Sequence, residues 1–252
     1  MSLMEPLAVS SDSFASPAAR STAVARAVLM RVAAGELPPT FRLHRPGRIL
    51  AFSKQDAASA GFPQAVQVAR GVGFEPVIRL AGGRAAVYHE ETLALSWAVA
   101  DARPSARTEA RFRELADLLR EALGDLGVDA HVGEVPGEYC PGAWSVNARR
   151  ATKLAGTGQR LVAGAAHRGA VIVAGSSELV RDALVPTYDA LGLDWDPATA
   201  GSVEDEVTGA GVAQLEDAIL ARLAERYELT DTRIDPETLA LAERLESDHA
   251  VP

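Results

Sequence analysis

The chain has 252 residues, 48% hydrophobic and 23% charged, with 21 glycines, 14 prolines and one cysteine. That composition excludes a collagen-like or extensively disordered chain and an internal disulfide framework, and fits one large domain or two small ones. The net charge of −9 is uneven: residues 186–252 carry 16 acidic and 4 basic side chains, the remainder 18 acidic and 21 basic. An acidic balance argues against broad nucleic-acid binding.

The first 20 residues are Ser/Ala-rich, with neither a basic nor an apolar signal region, and are expected to be disordered. From Ser21 to Ala34, Val24, Ala27, Val28 and Val32 recur at helical spacing and stop at Gly35. Phe41–Leu43 and Ile49–Phe52 read as short strands around Arg45-Pro46-Gly47, and Pro63–Arg70 as a helix with proline in its first turn. Pro76–Leu80, Ala85–Tyr88 and Thr92–Ala100 read as strands; in the last, Leu93, Leu95, Trp97 and Val99 alternate with smaller residues. Arg107–Leu126 carries the clearest helical stripe, through Phe112, Leu115, Leu118, Leu119 and Leu123. Strands are expected at Val128–Val132, Ala143–Val146, Lys153–Val162 and Ala170–Ala174, and helices at Ser177–Leu191, Gly211–Tyr227 and Pro236–Leu245. The class is α+β, a mixed, mostly antiparallel sheet with helices packed on it. A catalytic domain over residues 21–229 and an acidic helical tail over 230–252, a solvated cover for the sheet, complete the expected organisation. No apolar run approaches a membrane span, and a single cysteine is consistent with a reducing cytoplasm.

Four segments offer chemistry. In Arg79-Leu-Ala-Gly82-Gly83-Arg84-Ala-Ala-Val-Tyr88-His89, a glycine pair between strands either closes a plain tight turn or lets backbone approach a ligand, with Arg79 and Arg84 placed to meet an anion. In Gly137-Glu-Tyr-Cys140-Pro-Gly-Ala-Trp144, the lone thiol is either a small buried apolar group or a loop-borne nucleophile whose thiolate a nearby cation would favour. Lys153-Leu-Ala-Gly156-Thr-Gly-Gln159-Arg160 holds one of only two lysines in a chain that otherwise uses arginine; it reads either as a basic edge strand or as an ammonium aimed at developing charge. His167 either orients a substrate or is structural. The five histidines are scattered, and one cysteine cannot complete a structural zinc site, so no metal is expected.

Together these segments resemble the lipoate–protein ligase A / octanoyltransferase superfamily, related in fold to biotin–protein ligases, over about Ser21–Leu229. Arg79–His89 is similar to the family's Arg-x-x-Gly-Gly motif, Lys153–Arg160 to its Lys-x-x-Gly-x-x-Gln-Arg motif, and Tyr139–Asn147 to the loop of the amidotransferase branch, in which the cysteine accepts the acyl group. The resemblance implies a mixed sheet holding a narrow tunnel for an eight-carbon chain. It implies transfer of an octanoyl or lipoyl group onto a lysine of a lipoyl domain or glycine-cleavage H protein. Cys140 and Lys153 would be catalytic, with Arg79, Gly82, Gly83, Arg84, Tyr88, His89, Gly156, Gln159 and His167 around the substrate.

Three departures favour ATP-independent transfer without a cofactor: Arg84 where ligases carry a third glycine, the Cys-Pro-Gly loop where they have Asn-Asp, and only a short polar segment after Leu229 where an accessory domain would follow. The alternative is a ligase that forms a lipoyl-adenylate with ATP and Mg²⁺, and a third reading is a non-catalytic acyl or lipoyl-domain binder. An acidic partner, a lipoyl domain or an acyl carrier protein, would be drawn to Arg149, Arg150, Arg160 and Arg168; no nucleic acid or membrane is expected as a partner.

Overall fold

A computed structural model describes residues 4–252. In chain order it contains β1 (Glu5–Ser10), α1 (Arg20–Ala33), β2 (Thr40–His44), β3 (Ile49–Phe52), α2 (Lys54–Ala57), α3 (Phe62–Gly71), β4 (Glu75–Ile78), β5 (Ala86–Tyr88) and β6 (Thr92–Ala100). There follow α4 (Thr108–Asp125), β7 (Ala130–Val132), β8 (Val146–Ala148), β9 (Thr152–Val162), β10 (Ala165–Val173), α5 (Ser177–Leu191), α6 (Val203–Glu206), α7 (Val212–Ala224), β11 (Tyr227–Asp231) and α8 (Pro236–Leu245).

Eight strands form one sheet in the order β11-β1-β2-β6-β10-β9-β8-β7, parallel at β1–β11 and β1–β2 and antiparallel elsewhere. A second sheet has the order β4-β3-β5. The mixed, mostly antiparallel α+β architecture expected from the sequence is the one observed.

Side-chain alternation decides which face each helix covers. Leu93, Leu95 and Trp97 of β6 join Leu115, Leu118 and Leu119 of α4 and Leu215, Ile219 and Leu223 of α7 in one apolar core. The intervening Ala94, Ser96 and Ala98 face the other way. There α1 covers part of the sheet through Ala23, Val24, Ala27 and Val28, and the small sheet stands over the rest. The space between the two sheets is where the site lies.

Several boundaries depart from the sequence reading. The expected disorder over residues 1–20 is replaced from Glu5 onward by β1, wedged between β11 and β2; residues 1–3 of that expectation lie outside the described residues. Leu7 supplies an apolar contact to the core, 1% exposed. The helix expected to reach Tyr227 ends at Ala224, because Tyr227 is claimed by β11 and packs edge-on against Trp97. The strand expected at Ala143–Val146 begins only at Val146, because Ser145 is held in the preceding loop by Glu138.

The tail is not a solvated cover on the sheet. It adds β11 to the sheet edge, and α8 packs on α1, where its acidic residues and their neighbours meet Arg20, Arg26 and Arg31. No helix among the described residues is long and apolar enough to cross a membrane.

Candidate active site

Cys140 sits in the loop between β7 and β8, and that loop is wound around one carboxylate. Glu138, 3% exposed, accepts hydrogen bonds from the backbone N–H of Val135 (3.2 Å) and Gly142 (3.1 Å), the hydroxyl of Ser145 (2.6 Å) and the ammonium of Lys153 (3.2 Å). Lys153 enters from β9, 1% exposed. It donates also to the carbonyl oxygens of Tyr139 (2.9 Å) and Cys140 (2.8 Å), and lies 4.7 Å from the centre of the Tyr139 ring. An ammonium has three hydrogens, and all three are engaged. Lys153 therefore clamps the cysteine loop by its backbone and places a positive charge beneath it. The sequence admits either a basic edge strand or an ammonium aimed at developing charge, and this buried clamp is a third arrangement.

The sulfur is addressed from the opposite side, by the segment joining β4 to β5. The backbone N–H of Arg84 donates to Cys140 Sγ at 3.1 Å and the Arg79 guanidinium at 3.5 Å. Arg79 is itself held over the turn by the Gly82 carbonyl. Gly83 makes this approach feasible. Its φ is +104°, and a Cβ there would fall 2.1 Å from Arg79 Nη2 and 2.8 Å from the sulfur. Gly82 has open space where its Cβ would be.

Cys140 also takes a left-handed backbone, φ +44°, a conformation that needs support from its surroundings. Tyr188 of α5 supplies it: its hydroxyl accepts the Cys140 N–H at 2.9 Å and donates to the Ala85 carbonyl at 3.0 Å. Burial pushes the Cys140 thiol up, but the charges of Arg79 and then Lys153, with the Arg84 N–H, outweigh it and bring the thiol below its ordinary range.

From Cys140 a cavity of ≈ 90 Å³ runs between the two sheets. Its floor crosses four adjacent strands, with Gly156 and Gly158 of β9, Gly169 and Val171 of β10, Ala94 and Ser96 of β6, and His44 of β2. Ile49, Ala51, Ala86 and Tyr88 of the small sheet form its roof.

The structure thus gathers Cys140, Lys153, Arg79, Tyr88, Gly156 and His167 around one cavity, with Gly83 and the Arg84 backbone on the sulfur. Others lie elsewhere. The Arg84 side chain turns to the buried carboxylate of Asp56, 3.3 Å away. His89 is wholly buried in the β5–β6 turn, where Nδ1 accepts the Glu91 N–H, and it does not line the cavity. Gln159 follows Gly158 on the strand and so faces the opposite side, where it bonds Arg111 and the Thr108 carbonyl and ties β9 to α4. Among the four arginines expected to draw an acidic partner, Arg168 is buried against Trp97 and paired with Glu114. Arg149 pairs with Glu206.

Sequence reasoning gave no role to Glu138, Tyr188, Arg42, His44 or Ser96. Glu138 lay within the cysteine motif, and an acidic residue two before a loop cysteine in a chain with so few lysines was the available signal. Tyr188 looked like one more apolar position on its helix.

This constellation accords with comparison to known proteins. The model of the lipoyl protein ligase A/B catalytic domain matches residues 17–224. The chain belongs to that family. An octanoyl-[GcvH]:protein N-octanoyltransferase from Bacillus velezensis is 27% identical over 211 residues, 79% of this chain and 72% of the relative. One from an Exiguobacterium species is 30% identical over 110 residues, 44% of this chain; that match spans only 39% of the relative's length. Among solved structures, a lipoate-protein ligase A bound with ATP superposes with a TM-score of 0.74 at 15% identity, covering 97% of this chain and 95% of the other. A bi-partite lipoate protein ligase from Thermoplasma acidophilum gives 0.73 at 16% identity, covering 97% and 92%. At these identities the superpositions establish the fold.

Proposed function

We propose that the protein is an acyltransferase that moves an octanoyl or lipoyl group, through a Cys140 thioester, onto the acceptor lysine of a lipoyl domain or glycine-cleavage H protein. The observation that carries this reading is the Cys140 sulfur, half-buried on the wall of the cavity between the two sheets and held by a guanidinium and a backbone N–H. The names of the curated relatives, which pair an octanoylated GcvH with a protein acceptor, support it.

In the first step the thiolate attacks the acyl carbonyl of a thioester or amide donor. The Sγ–C bond forms, the bond from that carbon to the donor's heteroatom breaks, and the leaving group takes a proton from solvent. The charge that leaves sulfur gathers on the carbonyl oxygen, and the Arg84 N–H and Arg79 guanidinium, which hold the sulfur beforehand, are the donors nearest to it. In the second step the acceptor amine attacks the thioester, the N–C bond forms, the Sγ–C bond breaks, and the amine releases its proton. Two moderate barriers replace one high barrier. Burial of the chain supplies affinity, about 0.8 kcal/mol per methylene.

The acyl group arrives already bonded to a thiol or an amine and is exchanged, so this route consumes no nucleotide. A free acid would instead require ATP and Mg²⁺, and Cys140 would then be dispensable. Intact-mass analysis separates the two. Incubation with octanoylated H protein, without ATP, should add one octanoyl group at Cys140 and deliver it to a lipoyl domain. Cys140→Ala should abolish both. Full transfer by Cys140→Ala, or transfer only when ATP is present, overturns the reading.

A further inference from the structure

Strand pairing lays out the floor of the cavity in rows. His44 of β2 lies opposite Ala94 of β6, Ala94 opposite Val171 of β10, and Val171 opposite Gly156 of β9. All four line the cavity, so one row crosses it, three inter-strand steps or about 14 Å between the outer backbones. The Gly156 end belongs to the thiol. A Cβ there would stand 3.4 Å from Cε of Lys153, whose ammonium bonds the Cys140 carbonyl.

The next row, Arg42, Ser96, Gly169 and Gly158, is narrowed by side chains. The His167 imidazole lies over Gly169, where a Cβ would come within 3.0 Å of its Cε1, and its Nε2 is 2.9 Å from the Ser96 hydroxyl. Arg42 runs under α1 to the carbonyl and hydroxyl of Ser21. A chain attached at sulfur is therefore led along the first row, over Gly156, Val171 and Ala94, to His44.

Beyond His44 no strand continues the row. β1 pairs with β2 only as far as Ser10 and Arg42, and the Arg45 N–H then donates to the Ser13 hydroxyl at 3.0 Å. Outside His44 lies a second hollow, bordered by Ser11, Ser13, Arg45 and Glu216. The first three of these are exposed, so it opens to solvent. Among the described residues His44 is the only one that lines both spaces. One side chain, 7% exposed, thus separates the slot from water. Burial, with the charge of Arg42 beside it, holds its imidazole well below the ordinary 6.5, so a methyl group against it covers no charge.

We propose that His44 is the end wall of the acyl slot and sets the longest chain that Cys140 loads. This rests on the acyl-transfer reading above and names the residue that fixes its chain length. At about 1.3 Å of advance per carbon–carbon bond, an extended octanoyl chain reaches about 9 Å from carbonyl carbon to methyl, and a dodecanoyl chain about 14 Å. The first ends before the imidazole and the second runs into it. The bonds made and broken at Cys140 are those already described, and His44 takes no part in them.

The test is a competition on the full chain between octanoyl and dodecanoyl thioesters of N-acetylcysteamine, read as the masses added at Cys140. The unaltered protein should load octanoyl faster by about tenfold or more, the scale of forcing extra methylenes into a packed site. His44→Ala should lower that preference by about tenfold, because the added carbons then pass into the hollow. His44→Trp should move the limit the other way and lower the preference for octanoyl over hexanoyl in the same assay. A general loosening of the fold would not shift the limit in opposite directions. Should His44→Ala fail to fold, His44→Trp and the unaltered protein still decide. Equal loading of the two chains by the unaltered protein, or an unmoved ranking in the variants, overturns the end wall and leaves octanoyl transfer standing. Loading of none of these thioesters by the unaltered protein overturns the thioester reading together with the proposal.

Discussion

Tyr188 holds Cys140 by its backbone and not by its sulfur. The tyrosine hydroxyl accepts the Cys140 N–H and donates its own O–H to the Ala85 carbonyl, so one side chain from α5 links the cysteine loop to the segment that carries Arg84. The two halves of the site, one from each side of the cavity, are thereby kept in register. Tyr188→Phe removes the link and leaves a buried N–H unpaired. Unfolding in urea should register a loss of about 1–3 kcal/mol, and loading of Cys140 by an octanoyl thioester should slow by about tenfold or more as the sulfur loses its fixed aim.

The thiolate is the reactive form, and Arg79 is the first of the charges that favour it. In the unaltered protein the alkylation rate of Cys140 should fall as pH drops through a midpoint below that of an ordinary thiol. In Arg79→Gln that midpoint should move upward. Iodoacetamide labelling followed by mass over a pH series measures it, and an unmoved midpoint would mean that Arg79 does not govern the sulfur.

The two neighbouring glycines should respond differently to the same added methyl group. Gly83→Ala forces a Cβ into both the guanidinium and the sulfur at a backbone angle that alanine adopts at a cost. Cys140 loading should drop by about 100-fold or more, the scale of a misplacement near 1 Å. Gly82→Ala points into open space and should retain most of the loading rate.

Burial lowers the His167 imidazole from an ordinary 6.5 to about 3, with Arg42 and Arg168 adding to the effect. His44 moves in the same direction. A histidine kept neutral in the folded chain is protonated first in the unfolded one, so stability should be full above about pH 6.5 and decline as pH falls toward 3. Urea unfolding at pH 7, 5 and 4 should show that decline, with a shallower slope in His167→Phe. Parallel slopes would mean that His167 stays neutral in neither state.

The sequence displayed those parts of the site that depend on residue type at fixed spacing. Periodicity placed α4, α5 and α8 to within a residue or so, and the scarcity of lysine singled out Lys153. Features that depend on the far ends of the chain stayed hidden. β1 is short and carries a proline, and it becomes a strand because β2 and β11, the latter some 220 residues later, pair with it on either side. The role of Gln159 was misjudged for a related reason: its motif is contiguous in sequence, but pleating sends consecutive residues to opposite faces. The buried cluster of Arg42, His44 and Ser96 was illegible because its members come from two strands that only the sheet order makes neighbours.

Helix α1 does double duty. Ser21, Thr22 and Ala25 wall the cavity between the sheets, while Arg20, Arg26 and Arg31 on the same helix are gripped by Glu246, Asp248, Asp235 and Glu237. The acidic turns around α8 are thus a brace on the cavity's α1 wall, joined to the site through one helix. Trimming them should loosen α1 before it disturbs the loop that carries the sulfur.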